Sequence, residues 1–230
     1  MMKLAVLVHG VKGRIRHLET VLTTHSYDFE KIFTTQIPHM PDMAAFDGLI
    51  IMGGPQHIYD RPSENWLDRE MTWVESFLKT GKPVFGICLG GQMLAAIHGG
   101  RVEKGSHGQH IGFHPLKLDV TDDPVFGDEL KGAHTFYWHE DTYLLADGTR
   151  LASAYPYTEQ AAKYAGNVYG VQFHPEVTED FIRDCYNEVT AEGNYPAHGP
   201  ALNDMLSQAP GYMAQQNDWL EKFILRLFAR

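Results

Sequence analysis

The chain has only two cysteines in 230 residues, Cys88 and Cys185. That number excludes a disulfide scaffold, and a bridge between the two would consume a thiol that the sequence marks for other use. Free thiols fit a reducing intracellular compartment, so a cytoplasmic location is expected. Long apolar runs are also missing, which excludes a membrane span. The run near the start, Leu4-Ala5-Val6-Leu7-Val8, is too short for a signal-peptide core and gives way to His9-Gly10. Basic residues are scarce: 19 Lys and Arg stand against 29 Asp and Glu, a net charge of −10. Neither nucleic acid nor an anionic membrane is therefore expected as the main partner. There is no internal repeat, no linker and no P-loop or other nucleotide fingerprint. A single domain over residues 1–230 is expected, with no cofactor and no metal.

What is present centres on Gly86-Ile87-Cys88-Leu89-Gly90-Gly91-Gln92. The apolar run Pro83-Val84-Phe85 precedes it and the helical run Met93-Leu94-Ala95-Ala96-Ile97 follows it. A strand that turns sharply into a helix, with a nucleophile at the bend, forms an elbow that exposes the side chain. Gly86 and Gly90 flank the cysteine by two residues on each side, where a Cβ would collide as strand and helix close on each other. The helix N-terminus brings partial positive charge and unpaired N–H groups to the sulfur, which favours a thiolate.

A second segment supplies a base. Val168-Tyr169-Gly170-Val171-Gln172-Phe173 reads as a strand and runs into His174-Pro175-Glu176. Residues two apart on extended chain share a side, so His174 and Glu176 face one site together. Pro175 cannot donate to a sheet ladder, which places the tripeptide at a strand end or edge. Cys88 as nucleophile, His174 as proton shuttle and Glu176 as the group that orients the imidazole make a triad.

Periodicity and turn residues predict an α/β fold: a mostly parallel central sheet flanked by helices, with a smaller antiparallel portion. The parallel part uses strands at Leu4–Val8, 29–34, 47–52 and Val84–Ile87. Helices are expected through Leu18, Val21 and Leu22 and through Leu67, Met71, Val74 and Leu78, the second capped by Ser63. Ligands in such folds bind beyond the C-terminal strand ends, where Gly53-Gly54-Pro55 and Cys88 both lie. Short alternating segments at 116–120, 135–138, 150–154, 161–164 and 168–172 make the antiparallel portion. A short helix is expected over 178–185. Pro196, Gly199, Pro200, Pro210 and Gly211 predict an irregular loop over 190–211. A last helix carries Trp219, Leu220, Phe223, Ile224, Leu227 and Phe228 on one face, docked on its own domain or, as the alternative, covered by a partner or a second copy in a homodimer.

These residues resemble the class I glutamine amidotransferase family, and within it the amidotransferase domain of GMP synthase and its stand-alone relatives. The likeness rests on the elbow, on Gln172-Phe173-His174-Pro175-Glu176, on the Gly53-Gly54-Pro55 loop, on Gly99-Gly100-Arg101-Val102 and on Trp138-His139-Glu140-Asp141. It covers about residues 45–180, which leaves 190–230 as a C-terminal extension of a flavodoxin-like domain. The resemblance implies that Cys88 attacks the side-chain amide of glutamine, releases ammonia and forms a γ-glutamyl thioester that water hydrolyses. It implies an oxyanion hole from Gly54 and Leu89 N–H, and contacts to the substrate from Gln92, Gly53 and Gly112. Ammonia then passes to a separate synthetase or acceptor subunit, or the reaction ends in hydrolysis. The alternatives are a hydrolase of γ-glutamyl peptides or conjugates and a non-catalytic regulatory subunit.

The segment 103–114 departs from the family pattern and is rich in histidine. His107, His110 and His114 have the spacing of one helical face, but Gly108, Gly112 and Pro115 oppose a helix. Solvated loop histidines are the expectation, not a metal site. Trp138-His139-Glu140-Asp141 is expected to be a structural or substrate-flanking loop, and His9 and His57 to be ordinary polar loop residues near strand ends.

Overall fold

A computed structural model describes residues 2–10, 13–61 and 63–229. Its first half alternates strand and helix: β1 Lys3–Val8, α1 His17–Thr24, β2 Asp28–Phe33, β3 Gly48–Ile51, α2 Asn65–Leu78, β4 Val84–Ile87 and α3 Leu89–Ile97. Short strands follow: β5 Arg101–Lys104, β6 His110–Pro115, β7 Lys117–Leu118, β8 His134–His139, β9 Asp141–Leu144, β10 Thr149–Ser153, β11 Ala161–Lys163 and β12 Val168–Val171. Two helices, α4 Glu179–Ala191 and α5 Leu202–Leu227, end the described chain.

The main sheet has the order β2-β1-β3-β4-β12-β11-β10-β7. Its first five strands run parallel and the remaining three antiparallel, joined where β12 pairs with β11. The parallel half has the doubly wound flavodoxin-like order, with β12 in the place of a fifth strand. Side chains of β1 alternate between its two faces, as strand geometry requires. Leu4, Val6 and Val8 pack with α1 and α5, while Ala5 and Leu7 pack with α2 and α3. Two hairpin-like pairs, β5–β9 and β6–β8, stand apart from the main sheet. Among the described residues no helix is long and apolar enough to cross a membrane.

The C-terminal region corrects the sequence reading. Residues 202–211 are not an irregular loop, because α5 runs unbroken through Pro210. Pro210 and Gly211 face solvent, the side on which a helix tolerates a broken backbone hydrogen bond. Met205, Ala209, Gln216, Trp219, Leu220, Phe223, Ile224 and Leu227 hold the opposite face in the protein. Phe223 lies 4.6 Å from Phe85 and 5.5 Å from Tyr169 between ring centroids, so the helix covers one side of β4 and β12. The last helix is thus docked on its own domain.

Other differences are smaller. Ser63 does not cap α2; its hydroxyl donates to the Asp60 carbonyl, and Glu64 precedes the helix without a side-chain cap. Thr178 accepts from Phe181 N–H at 3.1 Å and starts α4, which continues to Ala191. The segment 103–114 forms the end of β5 and most of β6.

Candidate active site

The site forms where β1, β3, β4 and β12 end. Cys88 joins β4 to α3 with φ 52° and ψ −105°, a conformation that a non-glycine residue holds only under constraint. The glycines around it explain how the bend closes. A Cβ on Gly86 would lie 2.4 Å from the Gly90 carbonyl oxygen, and one on Gly90 would lie 2.3 Å from that of Ile51. A Cβ on Gly91 would lie 2.5 Å from the Val171 oxygen. The backbone of α3 therefore rests directly on β3 and β12. Cys88 N–H donates to Val171 at 2.8 Å, which ties the elbow to the strand that leads to His174.

His174 and Glu176 follow β12, and both are buried. His174 Nδ1 lies 2.8 Å from Glu176 Oε1, and the ring and Cys88 meet at Gly53. Burial by itself pushes the His174 imidazolium down. The opposing charge of Glu176, then Cys88, outweighs burial and raises its pKa to about 10. A cationic imidazole and the N-terminus of α3 thus both face the sulfur. His174 N–H donates to the Phe136 carbonyl at 2.8 Å, and the Glu176 carbonyl accepts from His17 N–H at 3.1 Å. These backbone ties hold the two residues between β8 and α1.

Gln172 is a site residue that the sequence reading passed over. Its Nε2 lies 3.5 Å from Cys88 Sγ, and its Oε1 accepts from Gln92 Nε2 at 3.1 Å. The same two-residue period that selected His174 and Glu176 in the sequence pointed to Gln172 as well, although β12 ends at Val171 and the chain bends and turns over 172–176 to bring the three side chains together. Gln92 also donates to the Asp141 carbonyl at 3.2 Å. The Asp141 carboxylate in turn accepts from Tyr59 OH at 3.1 Å and lies 2.6 Å from His57 Nδ1. His57 and Asp141 are 84 positions apart, and no local pattern pairs them.

The loop after β3 lies against the nucleophile. A Cβ on Gly53 would fall 3.0 Å from His174 Cε1 and 3.3 Å from Cys88 Cβ. Among the described residues neither Gly54 N–H nor Leu89 N–H donates a hydrogen bond; Gly54 lines the cleft, and Leu89 is buried next to Cys88.

A cleft of about 510 Å³ opens over Cys88. It is lined by Gln92, Gly53, His57, Trp138 and Asp141, and also by Phe181, Arg14, Arg16 and further residues of α4. Ring and charge contacts link this last group to His174. Phe181 lies 5.0 Å from the His174 ring, Arg16 stands over Phe181 at 5.3 Å, and Arg16 and Arg14 both bind the Asp184 carboxylate. Gly112 is not brought to the cleft. It pairs with Tyr137 inside the β6–β8 ladder and faces Pro200, while its neighbours Gln109 and Ile111 line the wall.

The histidine segment divides. His107 is exposed, but His110 is buried in β6, not solvated in a loop. Its ring stacks on Tyr137 at 4.2 Å, and its Nδ1 lies 3.3 Å from His139 Nε2. Burial pushes His110 down to about 2 and His139 to about 3, with the neighbouring histidines adding to the effect. His139 therefore presents a neutral ring to the cleft beside the charged His174.

This arrangement suits nucleophilic attack by sulfur on a carbonyl, with His174 giving and taking the proton. A family model described as glutamine amidotransferase class-I matches residues 6–181. The chain is 32% identical over 171 residues to a GMP synthase (glutamine-hydrolyzing) of Oceanobacillus iheyensis, a match over 73% of this chain and 30% of that one. It is 25% identical over 170 residues to gamma-glutamyl peptidase 5 of Arabidopsis thaliana, over 71% of this chain and 66% of that one. Both relatives extend beyond the shared part. A GMP synthase (glutamine-hydrolyzing) subunit from Halobacterium salinarum matches 78% of the chain at 27% identity, over 98% of its own length. A crystal structure of a glutamine amidotransferase from Thermotoga maritima superposes with a TM-score of 0.87 at 24% identity, covering 100% of this chain and 99% of that one.

Proposed function

This chain belongs to the class I glutamine amidotransferase family, and we propose that it hydrolyses the side-chain amide of glutamine through Cys88, His174 and Glu176. The observation that carries this reading is the alignment of a strained elbow cysteine with a buried His174–Glu176 pair at adjacent strand ends. Cys88 Sγ attacks the γ-carbonyl carbon, and the carbonyl electron pair moves onto oxygen. Gly54 and Leu89 N–H donate to that oxyanion. The imidazolium of His174 protonates the amide nitrogen, the C–N bond breaks, and ammonia leaves. A γ-glutamyl thioester remains on Cys88. Water then attacks it while His174 accepts a proton, the C–S bond breaks, and glutamate leaves the restored thiol. Gln92, Gly53 and Asp141 line the cleft and receive the amino-acid end of the substrate. The likeness to a GMP synthase subunit supports delivery of the ammonia to a separate synthetase chain.

A second reading is favoured by the α4 residues in the cleft lining. Phe181 lies beside the ring of His174, the group that protonates the leaving nitrogen, and with Asp184, Cys185 and Glu188 it lines the same cleft of about 510 Å³, which gives room for an amine larger than ammonia. A γ-glutamyl peptide or conjugate would place its leaving amine there, and the likeness to gamma-glutamyl peptidase 5 supports the same chemistry.

Glutamate release from glutamine and from a γ-glutamyl dipeptide, measured with wild type and Cys88→Ala, tests both. The amidotransferase reading expects the higher kcat/KM on glutamine, and the peptidase reading expects it on the dipeptide. Activity that survives Cys88→Ala would remove this site from either mechanism.

A further inference from the structure

His9 follows β1 and Glu70 lies on α2, and neither is exposed beyond 3%. No step described so far uses either. His9 Nε2 lies 2.8 Å from Glu70 Oε1, and its Nδ1 lies 3.3 Å from the Gly53 carbonyl oxygen. Where Glu70 is ionised both partners are acceptors, and each ring nitrogen then carries a hydrogen. A neutral imidazole has one N–H, and only the imidazolium has two. Burial disfavours that cation, but the charge and hydrogen bond of Glu70, followed by the carbonyls of Gly53 and Met52, raise the His9 pKa. The second Glu70 oxygen has no hydrogen-bond partner among the described residues.

The acceptor on the loop is the informative part. The Gly53 carbonyl belongs to the same peptide unit as Gly54 N–H. In a trans peptide these two groups point in opposite directions. Tying the Gly53 oxygen to His9 therefore turns Gly54 N–H away from His9. The loop also has little freedom to rotate, because a Cβ on Gly54 would sit 2.7 Å from His9 Cβ and 3.0 Å from Leu89 Cδ2. A cation on the carbonyl oxygen further polarises the peptide and strengthens its N–H as a donor.

We propose that His9, held by Glu70, is a positioning residue that aims and strengthens Gly54 N–H as an oxyanion donor. The inference rests on the reading that Gly54 serves the oxyanion of a γ-glutamyl transfer. His9 touches neither substrate nor sulfur; it acts through one peptide unit. Its effect belongs to the tetrahedral state, where the oxygen carries charge, and not to the planar ground state.

The test uses the full chain with His9→Phe, which removes both donors, His9→Gln, which restores one, and Glu70→Gln, which keeps shape without charge. The substrate is glutamine or the γ-glutamyl dipeptide, whichever wild type turns over. Losing an oxyanion donor outright lowers kcat by about 100- to 1000-fold, so an indirect loss in His9→Phe is expected at roughly 10- to 100-fold. KM should stay within about twofold, and His9→Gln and Glu70→Gln should fall between wild type and His9→Phe. The γ-aldehyde analogue of glutamine adds the Cys88 sulfur to give a tetrahedral hemithioacetal. Its affinity should fall in step with kcat/KM while the affinity for glutamate stays unchanged. A merely structural role would weaken both ligands together, and that result, or unchanged kinetics in His9→Phe, overturns the proposal. Nitrogen-15 NMR of the histidine rings, with His9→Phe to assign the signal, gives an answer that does not depend on turnover. Two protonated ring nitrogens in His9 near neutral pH support the proposal, and a single one overturns it even in an active enzyme. A wild type that releases no glutamate instead defeats the underlying reading, whatever the state of His9.

Discussion

His174 Nδ1 stands 2.8 Å from Glu176 Oε1, with both side chains buried and only Pro175 between them in the chain. The pair presents a cation to Cys88 and, in the proposed reaction, sets the pH behaviour.

In the free enzyme His174 is raised to about 10, with Glu176 the first of the causes that raise it and Cys88 the next. Acylation needs the imidazolium to protonate the leaving nitrogen. The expected kcat/KM is therefore flat through neutrality and falls only as pH approaches about 10. Glu176→Gln removes the main opposing charge while burial remains, so this alkaline limb should move down by about one to three pH units. In the thioester the sulfur charge is gone, which lowers the His174 pKa relative to the free enzyme. Deacylation needs the neutral base, so kcat should fall on the acid side. Steady-state profiles of both constants check the assignment; an alkaline limb unmoved in Glu176→Gln would contradict it.

The two thiols should differ in reactivity. Burial first of all pushes the Cys185 thiol up to about 12, while Cys88 faces the His174 cation and the N-terminus of α3. Iodoacetamide at about pH 8 should label Cys88 and spare Cys185, with activity lost in proportion to the label, since only thiolate reacts. Peptide mass spectrometry reads the site. Labelling of Cys185 ahead of Cys88 would refute the expected order.

Much of the site was legible because its signals are local. Glycines around Cys88 and the two-residue period at His174 and Glu176 are written in short stretches of chain. What escaped is tertiary. His57 meets Asp141 across 84 positions, and His110 is buried by Tyr137 from another strand. Residues 202–211 misled for a different reason: Pro210 and Gly211 punctuate a chain wherever they stand, but on the exposed side of α5 they interrupt no buried contact. The apolar stripe that runs past them, from Met205 through Ala209 to Trp219, was the better guide.

Two glycines make a paired test of the elbow. In Gly90→Ala the new Cβ would lie 2.3 Å from the Ile51 carbonyl oxygen, which is backbone and cannot yield. The helix must lift off β3 and carry Cys88 with it, so activity should be lost along with much of the stability. Gly211 lies inside α5 with nothing within 4 Å of an added Cβ. Gly211→Ala should stabilise by about 0.5–1 kcal/mol with activity unchanged, because alanine loses less backbone freedom on folding. Urea midpoints and turnover on the two variants decide the matter.

Trp219 tests whether α5 belongs to the core. Its side chain is fully buried, its ring lies 4.8 Å from Phe223 and 5.8 Å from Phe173, and its Nε1 donates to the Phe126 carbonyl at 2.7 Å. Phe173 adjoins His174, so this packing lies directly under the triad. Trp219→Ala leaves a cavity and should cost about 3–5 kcal/mol. A domain of this kind holds roughly 5–15 kcal/mol in total, so the variant is left with a large part of its stability gone. Trp219→Phe keeps most ring contacts but leaves the Phe126 oxygen unpaired, and should cost about 1–3 kcal/mol. Both should lower the urea midpoint without changing the slope, because the surface exposed on unfolding is nearly the same. A Trp219→Ala midpoint close to wild type would show that α5 adds little to the fold, and that β12 is held by β4, β11 and α3 without it.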